Sequence, residues 1–144
     1  MTGRPAAAVV GATLTLLACS GGREAPDSQR GGEALLRRPC GDLLKPADAA
    51  ASPPSDVPVQ GVTWYDRRTQ GSTAYHFGHL PGEQVGAARD AVIAGLQSAG
   101  YTASGTAERG NAGADGQFAG RHAGTVELTP YCKGRLRLRL QLDR

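Results

Sequence analysis

The stretch Arg135-Leu136-Arg137-Leu138-Arg139-Leu140-Gln141-Leu142 alternates polar side chains with leucine without a break. Successive side chains of a β-strand point to opposite faces of the sheet, so the leucines share one face and the polar side chains share the other. Such a strand packs one face on a hydrophobic core and exposes the other to water. The stretch therefore predicts an antiparallel sheet that is covered on one side only.

Other segments upstream predict further strands of this sheet. The segments that combine β-branched and aromatic residues with flanking turn residues are 62–67, 73–79, 101–106, 117–121 and 125–129. The polar, glycine-containing stretch 108–116 predicts a loop between two of them.

One helix is predicted between the second and third of these segments, over residues 83–99. Its apolar stripe consists of Val85, Ala88, Val92, Leu96 and Ala99. This spacing places all of them on one helix face, and Gly100 suits a left-handed C-cap. We therefore expect an α+β fold, a two-layer sandwich with one helix packed on an antiparallel sheet of about four to six strands, in the order ββαβββ.

Length and composition restrict the class of protein. The chain has 144 residues, and its seven aromatic side chains all lie between residues 64 and 131. This leaves room for one domain and excludes a large enzyme, a multidomain receptor, a repeat solenoid and a polytopic membrane protein. The net charge of +3 is too small to indicate a nucleic-acid-binding surface.

Residues 1–18 have the pattern of a secretory signal, because Arg4 precedes an apolar run over residues 5–18. As a helix this run is about 21 Å long, which is too short for a hydrocarbon core of about 30 Å. The run ends in Leu16-Leu17-Ala18-Cys19. With this lipobox the chain resembles the small exported lipoproteins of high-GC, actinobacterial-type bacteria.

The resemblance implies cleavage before Cys19 and attachment of acyl chains, such as palmitate, to the Cys19 sulfur. Two acyl chains anchor a protein lastingly, whereas one is marginal. A simple cleaved signal with an incidental Cys19, or a weak uncleaved anchor, are the alternatives. On the lipoprotein interpretation, the protein lies on the extracytoplasmic face of the cell membrane and is held there by its lipid anchor.

The resulting domain organisation has three parts. Residues 1–18 are the signal peptide, residues 19–39 a flexible tether with the lipidated Cys19, and residues 40–144 a single small α+β domain. The tether assignment depends on residues 20–39, which are polar and contain no aromatic residue.

Lipidation of one cysteine leaves Cys40 and Cys132. Export places both in an oxidising compartment, where an even pair favours a disulfide. Two buried or reactive free thiols are the alternative.

The three arginines of the alternating strand are candidate binding residues. Arg135, Arg137 and Arg139 are expected to project from one face at intervals of about 7 Å, which suits an anionic lipid surface or an anionic wall polymer. The alternative is a solvated sheet face whose arginines discourage edge-to-edge pairing.

The histidines and acidic residues give no catalytic or metal-binding pattern. His76 and His79 are three residues apart on a predicted strand and should point to opposite faces. His122 replaces the glutamate that a calcium loop beginning near Asn111 would need. The sequence contains no G-x-S-x-G, Walker-type or H-E-x-x-H motif, so we expect no metal, no cofactor and no enzymatic activity.

These observations predict a non-enzymatic binding or structural module of the cell envelope. Its partners would be the membrane, through the anchor, and an envelope protein or an anionic wall or lipid polymer, with no nucleic acid. The alternative is a small ligand-binding protein or enzyme that uses a cleft near the His76/His79 hairpin.

Overall fold

The computed structural model describes residues 27–144. Its helices are α1 (Asp27–Arg37) and α2 (Val85–Ser98), with short 3-10 helices at Gly41–Leu43 and Ala49–Ala51. Its strands are β1 (Thr63–Gln70), β2 (Thr73–Pro81), β3 (Thr102–Glu108), β4 (Ala114–Ala119), β5 (Ala123–Cys132) and β6 (Arg135–Asp143). The mixed α+β class with one antiparallel sheet is confirmed.

The six strands form a single sheet in the order β1-β2-β6-β5-β4-β3. The alternating strand β6 therefore lies inside the sheet, between β2 and β5, and β1 and β3 are the edges. Leu136, Leu138 and Leu140 are fully buried and Leu142 nearly so. The predicted division of this strand into a core face and a solvent face is confirmed.

The predicted ββαβββ order is wrong, because four strands follow α2 and a further helix, α1, precedes β1. The individual segments 101–106, 117–121, 125–129 and 135–142 correspond to these four strands, but the loop predicted over residues 108–116 includes the start of β4 at Ala114. Gly116 of β4 lies beneath α2, where an added Cβ would come within 2.8 Å of Ile93 Cδ1. The close approach of the helix requires small residues in β4, and such residues have low intrinsic strand propensity.

Helix α1 lies inside the segment predicted as a tether. Gly32 of α1 is buried, and an added Cβ there would overlap the Asn111 carbonyl oxygen and approach Pro130 Cγ. Leu36 packs against the hydrophobic core. Residues 27–37 thus form a helix docked on the domain. The signal peptide over residues 1–18, Cys19 and the rest of the tether up to residue 26 lie outside the described residues, and the domain division remains a prediction.

Residues 38–58, which we call the strap, wrap around the sheet from the β5–β6 turn to the core. The strap is fixed by the hydrogen bond from Lys133 N to Arg38 O, the Cys40–Cys132 disulfide, the bond from the Tyr131 hydroxyl to Leu43 O and the bond from Asp48 N to Trp64 O on the edge strand β1. Further along, Ala51 and Val57 are buried in the core. The strap therefore covers one end of the outer sheet face and then part of the core face.

Helix α2 covers the core face over the remaining strands. Its predicted stripe is confirmed at Val85, Val92 and Leu96, which are buried together with Ile93. Gly100 has a φ of 90°, which agrees with the predicted left-handed C-cap.

Candidate functional site

The outer face, defined as the sheet face that carries Arg135, Arg137 and Arg139, is not covered by α1 or α2. Leu36 of α1 and the apolar stripe of α2 both pack on the opposite face. Register aligns Arg137 with His79 on β2 and Thr129 on β5. The outer face is therefore an open surface along the middle of the sheet.

The three arginines of the outer face differ in their partners. Arg139 Nη2 lies 2.8 Å from Glu127 Oε2. Within residues 27–144, neither Arg135 nor Arg137 lies within ion-pair distance of a carboxylate. The predicted row thus supplies two arginines with uncommitted charge. Because β6 is an interior strand, these arginines do not protect a sheet edge, which removes that part of the alternative interpretation.

A stack of three rings lies beside Arg137. The Tyr65 and His79 ring centroids are 6.0 Å apart, those of His79 and Tyr131 are 6.3 Å apart, and both ring pairs are 26° from parallel. Lys45 Nζ lies 5.4 Å from the Tyr65 centroid, and Arg137 Cζ lies 5.9 Å from the Tyr131 centroid. We call these five residues the aromatic–cation patch. Burial, followed by the proximity of Tyr131, raises the pKa of Tyr65.

His79 lies in the middle of this stack, and one of its ring nitrogens is hydrogen-bonded to the strap. Its Nε2 lies 3.1 Å from the Lys45 carbonyl oxygen, which can only accept, so Nε2 carries the proton. Nδ1 is buried without a hydrogen-bond partner among the described residues. Neither ring nitrogen of His79 is therefore available to a substrate on the outer face.

His76 lies on the opposite face of β2, as the spacing predicted. Its Nδ1 is 2.8 Å from the Ala51 carbonyl oxygen of the strap. Burial lowers the pKa of His76. His76 and His122 line a cavity of about 300 Å³, whereas His79 does not contact it. The cleft anticipated near the two histidines thus contains only His76 of that pair, and the strap forms its wall.

The sequence identified Arg137 as a candidate binding residue but did not predict the patch. Lys45 lies on the strap, and no local pattern links it to Tyr65 or Tyr131. The hydrogen bonds from Tyr131 and His79 to strap carbonyls bring them together.

None of the helices in residues 27–144 has the length and apolar character needed to cross a membrane. In the same part of the chain, no group of three or more His, Cys, Asp or Glu side chains is placed to hold a metal ion.

Comparison with protein families, curated proteins and solved structures finds no match to this chain.

Proposed function

We propose that this protein is a lipid-anchored, extracytoplasmic binding module whose outer sheet face binds phosphate-bearing anionic groups of the cell envelope. The proposal rests on one observation above all. Arg135 and Arg137 lie on an open sheet face without a carboxylate partner in the described residues, and Arg137 is part of the aromatic–cation patch. A basic side chain near an anionic surface contributes about 1 kcal/mol to binding.

The aromatic–cation patch restricts the motion of its cationic side chains. Stacked rings hold Lys45 and Arg137 over tyrosine faces, so less side-chain freedom is lost when these cations meet an anion. Binding by fixed charges needs no reacting group. Of the His79 ring nitrogens, Nε2 is hydrogen-bonded to the strap and Nδ1 is buried. His79 therefore offers no acid or base to a ligand on the outer face, which supports a non-enzymatic role.

The position of α1 supports the anchoring part of the proposal. Gly32 of α1 meets Asn111 and Pro130, and Lys133 N bonds Arg38 O, so α1 joins the sheet end from which Arg135 begins β6. The chain from Cys19 to Asp27 can extend at most about 28 Å. An acylated Cys19 would therefore keep this end of the sheet close to the bilayer surface.

Metabolic labelling with a fatty acid tests the anchor. We expect label and membrane association in the natural chain, and loss of both in Cys19→Ala, because the acyl chains would have no sulfur to modify. A labelled, membrane-bound Cys19→Ala protein would contradict the anchoring part of the proposal.

Sedimentation with vesicles tests the outer face independently of the anchor. The full chain carrying Cys19→Ala should bind vesicles of phosphatidylglycerol and phosphatidylcholine, and not phosphatidylcholine alone. Replacing Arg135 and Arg137 with Gln should weaken binding roughly thirtyfold, from two cationic contacts of about 1 kcal/mol each. Raised salt should weaken it as well.

A charge-matched double variant, Arg37→Gln with Arg121→Gln, is the control, since both residues are exposed and lie off the outer face. Competition by soluble polyglycerol phosphate would assign the natural ligand to a wall polymer, and lack of competition to lipid headgroups. If both double variants weakened vesicle binding equally, the effect would come from net charge alone. That result would overturn the proposal that the outer face is the binding surface.

A further inference from the structure

A second candidate site lies on the core side of the sheet, at the end opposite the aromatic–cation patch. A cavity of about 300 Å³ opens there between strap residues 52–54 and the ends of β1, β2 and β6. Pockets of this size are at the lower end of the range that holds small molecules. Arg67 and His76, which are cross-strand partners on the core face, supply polar side-chain groups that converge on it.

His76 presents a hydrogen-bond acceptor to this cavity. The residue is only 2% exposed, and its Nδ1 donates to the Ala51 carbonyl oxygen at 2.8 Å, so Nε2 carries the lone pair. No described residue donates to Nε2. In the described part of the chain, His79 Nδ1 is the one buried side-chain nitrogen or oxygen that lacks both a partner and solvent contact. The unbonded Nε2 of His76 therefore reaches the cavity.

Arg67 presents a positive charge beside that acceptor. It is the cross-strand partner of His76 in the β1–β2 register, and its charge contributes to the lowered pKa of His76. No carboxylate of residues 27–144 lies within ion-pair distance of Arg67. Its planar guanidinium is thus free to bind a carboxylate or phosphate through two hydrogen bonds.

Asp143 also borders the cavity at the end of β6, but its carboxylate lies on the outer face. Thr73 Oγ1 donates to Asp143 Oδ1 at 3.4 Å, and Gln141 Nε2 donates to the same oxygen at 3.2 Å. Both donors belong to the outer face, so the carboxylate is directed away from the cavity. A ligand of the cavity must therefore supply a donor for His76 Nε2 as well as an anionic group for Arg67.

We propose that this cavity binds a small hydroxylated anion of monosaccharide size. Its carboxylate or phosphate would pair with Arg67, and one of its hydroxyl groups would donate to His76 Nε2. The site is separate from the outer face, so it stands whether or not the outer face binds an anionic surface.

Nuclear magnetic resonance of the His76 ring in the full chain carrying Cys19→Ala provides the test. Glucuronate and glucose 6-phosphate represent the two sources of the anionic group, glucose lacks the charge, and propionate lacks the hydroxyls. We expect the His76 signals to shift when glucuronate, glucose 6-phosphate or both are added. Glucose and propionate should bind at least tenfold more weakly than the sugar anions.

Arg67→Gln and Arg68→Gln form a matched pair, since these neighbours point to opposite faces and Arg68 is engaged with Asp66 at 3.0 Å. Arg67→Gln should weaken sugar-anion binding at least tenfold, since it removes the charge-assisted hydrogen bonds to the anionic group, and Arg68→Gln should weaken it less than twofold. His76→Phe, which removes the acceptor, should weaken binding by a similar factor, and a thermal melt shows whether that variant is folded.

The proposal is overturned if neither sugar anion moves the His76 signals at tens of millimolar. It is also overturned if glucose or propionate binds as tightly as the sugar anions, or if the Arg67 and Arg68 variants bind alike.

Discussion

Arg89 lies on α2 and is only 9% exposed, although it is charged. Its Nε donates to Asp90 Oδ1 at 2.9 Å, its Nη1 to the Ala107 carbonyl oxygen at 3.1 Å and its Nη2 to Glu108 Oε2 at 3.1 Å. Gly105 gives it room, since an added Cβ would come within 2.9 Å of the Arg89 guanidinium carbon. One side chain thus joins α2 to the edge strand β3.

Replacing Arg89 with Ala should lower the free energy of unfolding by about 2 kcal/mol, because Glu108 and the Ala107 carbonyl would lose a buried cationic donor. Urea denaturation measures this. Arg121→Ala is the control: its side chain is 71% exposed and its nearest carboxylate is 3.9 Å away, so we expect a change of less than about 0.5 kcal/mol. Equal effects would show that the Arg89 contacts do not stabilise the fold.

The ionisation of His76 makes the stability of the fold depend on pH. Burial lowers its pKa in the folded state below the unfolded value of about 6.5, with a smaller contribution from Arg67. The unfolded chain therefore binds more protons as the pH falls through about 6.5, so the contribution of His76 to stability is present above that value and is lost below it.

We expect the urea midpoint to fall between about pH 7.5 and about pH 5.5, and the fall to be smaller in His76→Gln. A variant with the same pH dependence as the natural chain would contradict the assignment to His76.

At the scale of elements, α1 approaches the sheet most closely at Gly32. Gly32 packs where a side chain would overlap the Asn111 carbonyl oxygen, whereas an added Cβ at Gly31 meets nothing within 4 Å. A side chain is therefore excluded at Gly32 but can be accommodated at the adjacent Gly31.

Gly32→Ala should displace α1 from the sheet and remove the protection of its backbone amides from hydrogen exchange. Gly31→Ala should keep or increase that protection, because alanine in an exposed helix position is about 1 kcal/mol more favourable than glycine. If both variants kept the protection of α1, or if both lost it equally, the contact at Gly32 would not be what holds α1 on the sheet.

At the scale of the whole molecule, the disulfide between Cys40 and Cys132 spans a sequence separation of 92 residues and fixes the start of the strap. The chain-entropy relation gives about 4–5 kcal/mol of stabilisation for a loop of this length. That is a large share of the 5–15 kcal/mol typical of a folded domain.

The double variant Cys40→Ser with Cys132→Ser should therefore unfold at a much lower urea concentration than the oxidised natural chain. The natural chain treated with reductant should match the variant, since both lack the same covalent link. A loss below about 1 kcal/mol would contradict the expected contribution of the disulfide.

Much of the fold followed from local patterns in the chain. Strict alternation over residues 135–142 predicted the division into a core face and an outer face, and the apolar stripe from Val85 to Leu96 predicted α2. Both are periodic properties of the backbone, with repeats of two and 3.6 residues, so a short window of sequence contains them.

Only the tertiary structure decided which residues meet. It placed β6 inside the sheet, paired Arg139 with Glu127, and brought Lys45 of the strap to Tyr65. It also placed Ala51 beside His76, which determines the tautomer that faces the cavity. These partners are far apart in the chain, and their contacts depend on how the strap folds over the sheet, which no local repeat of side chains encodes.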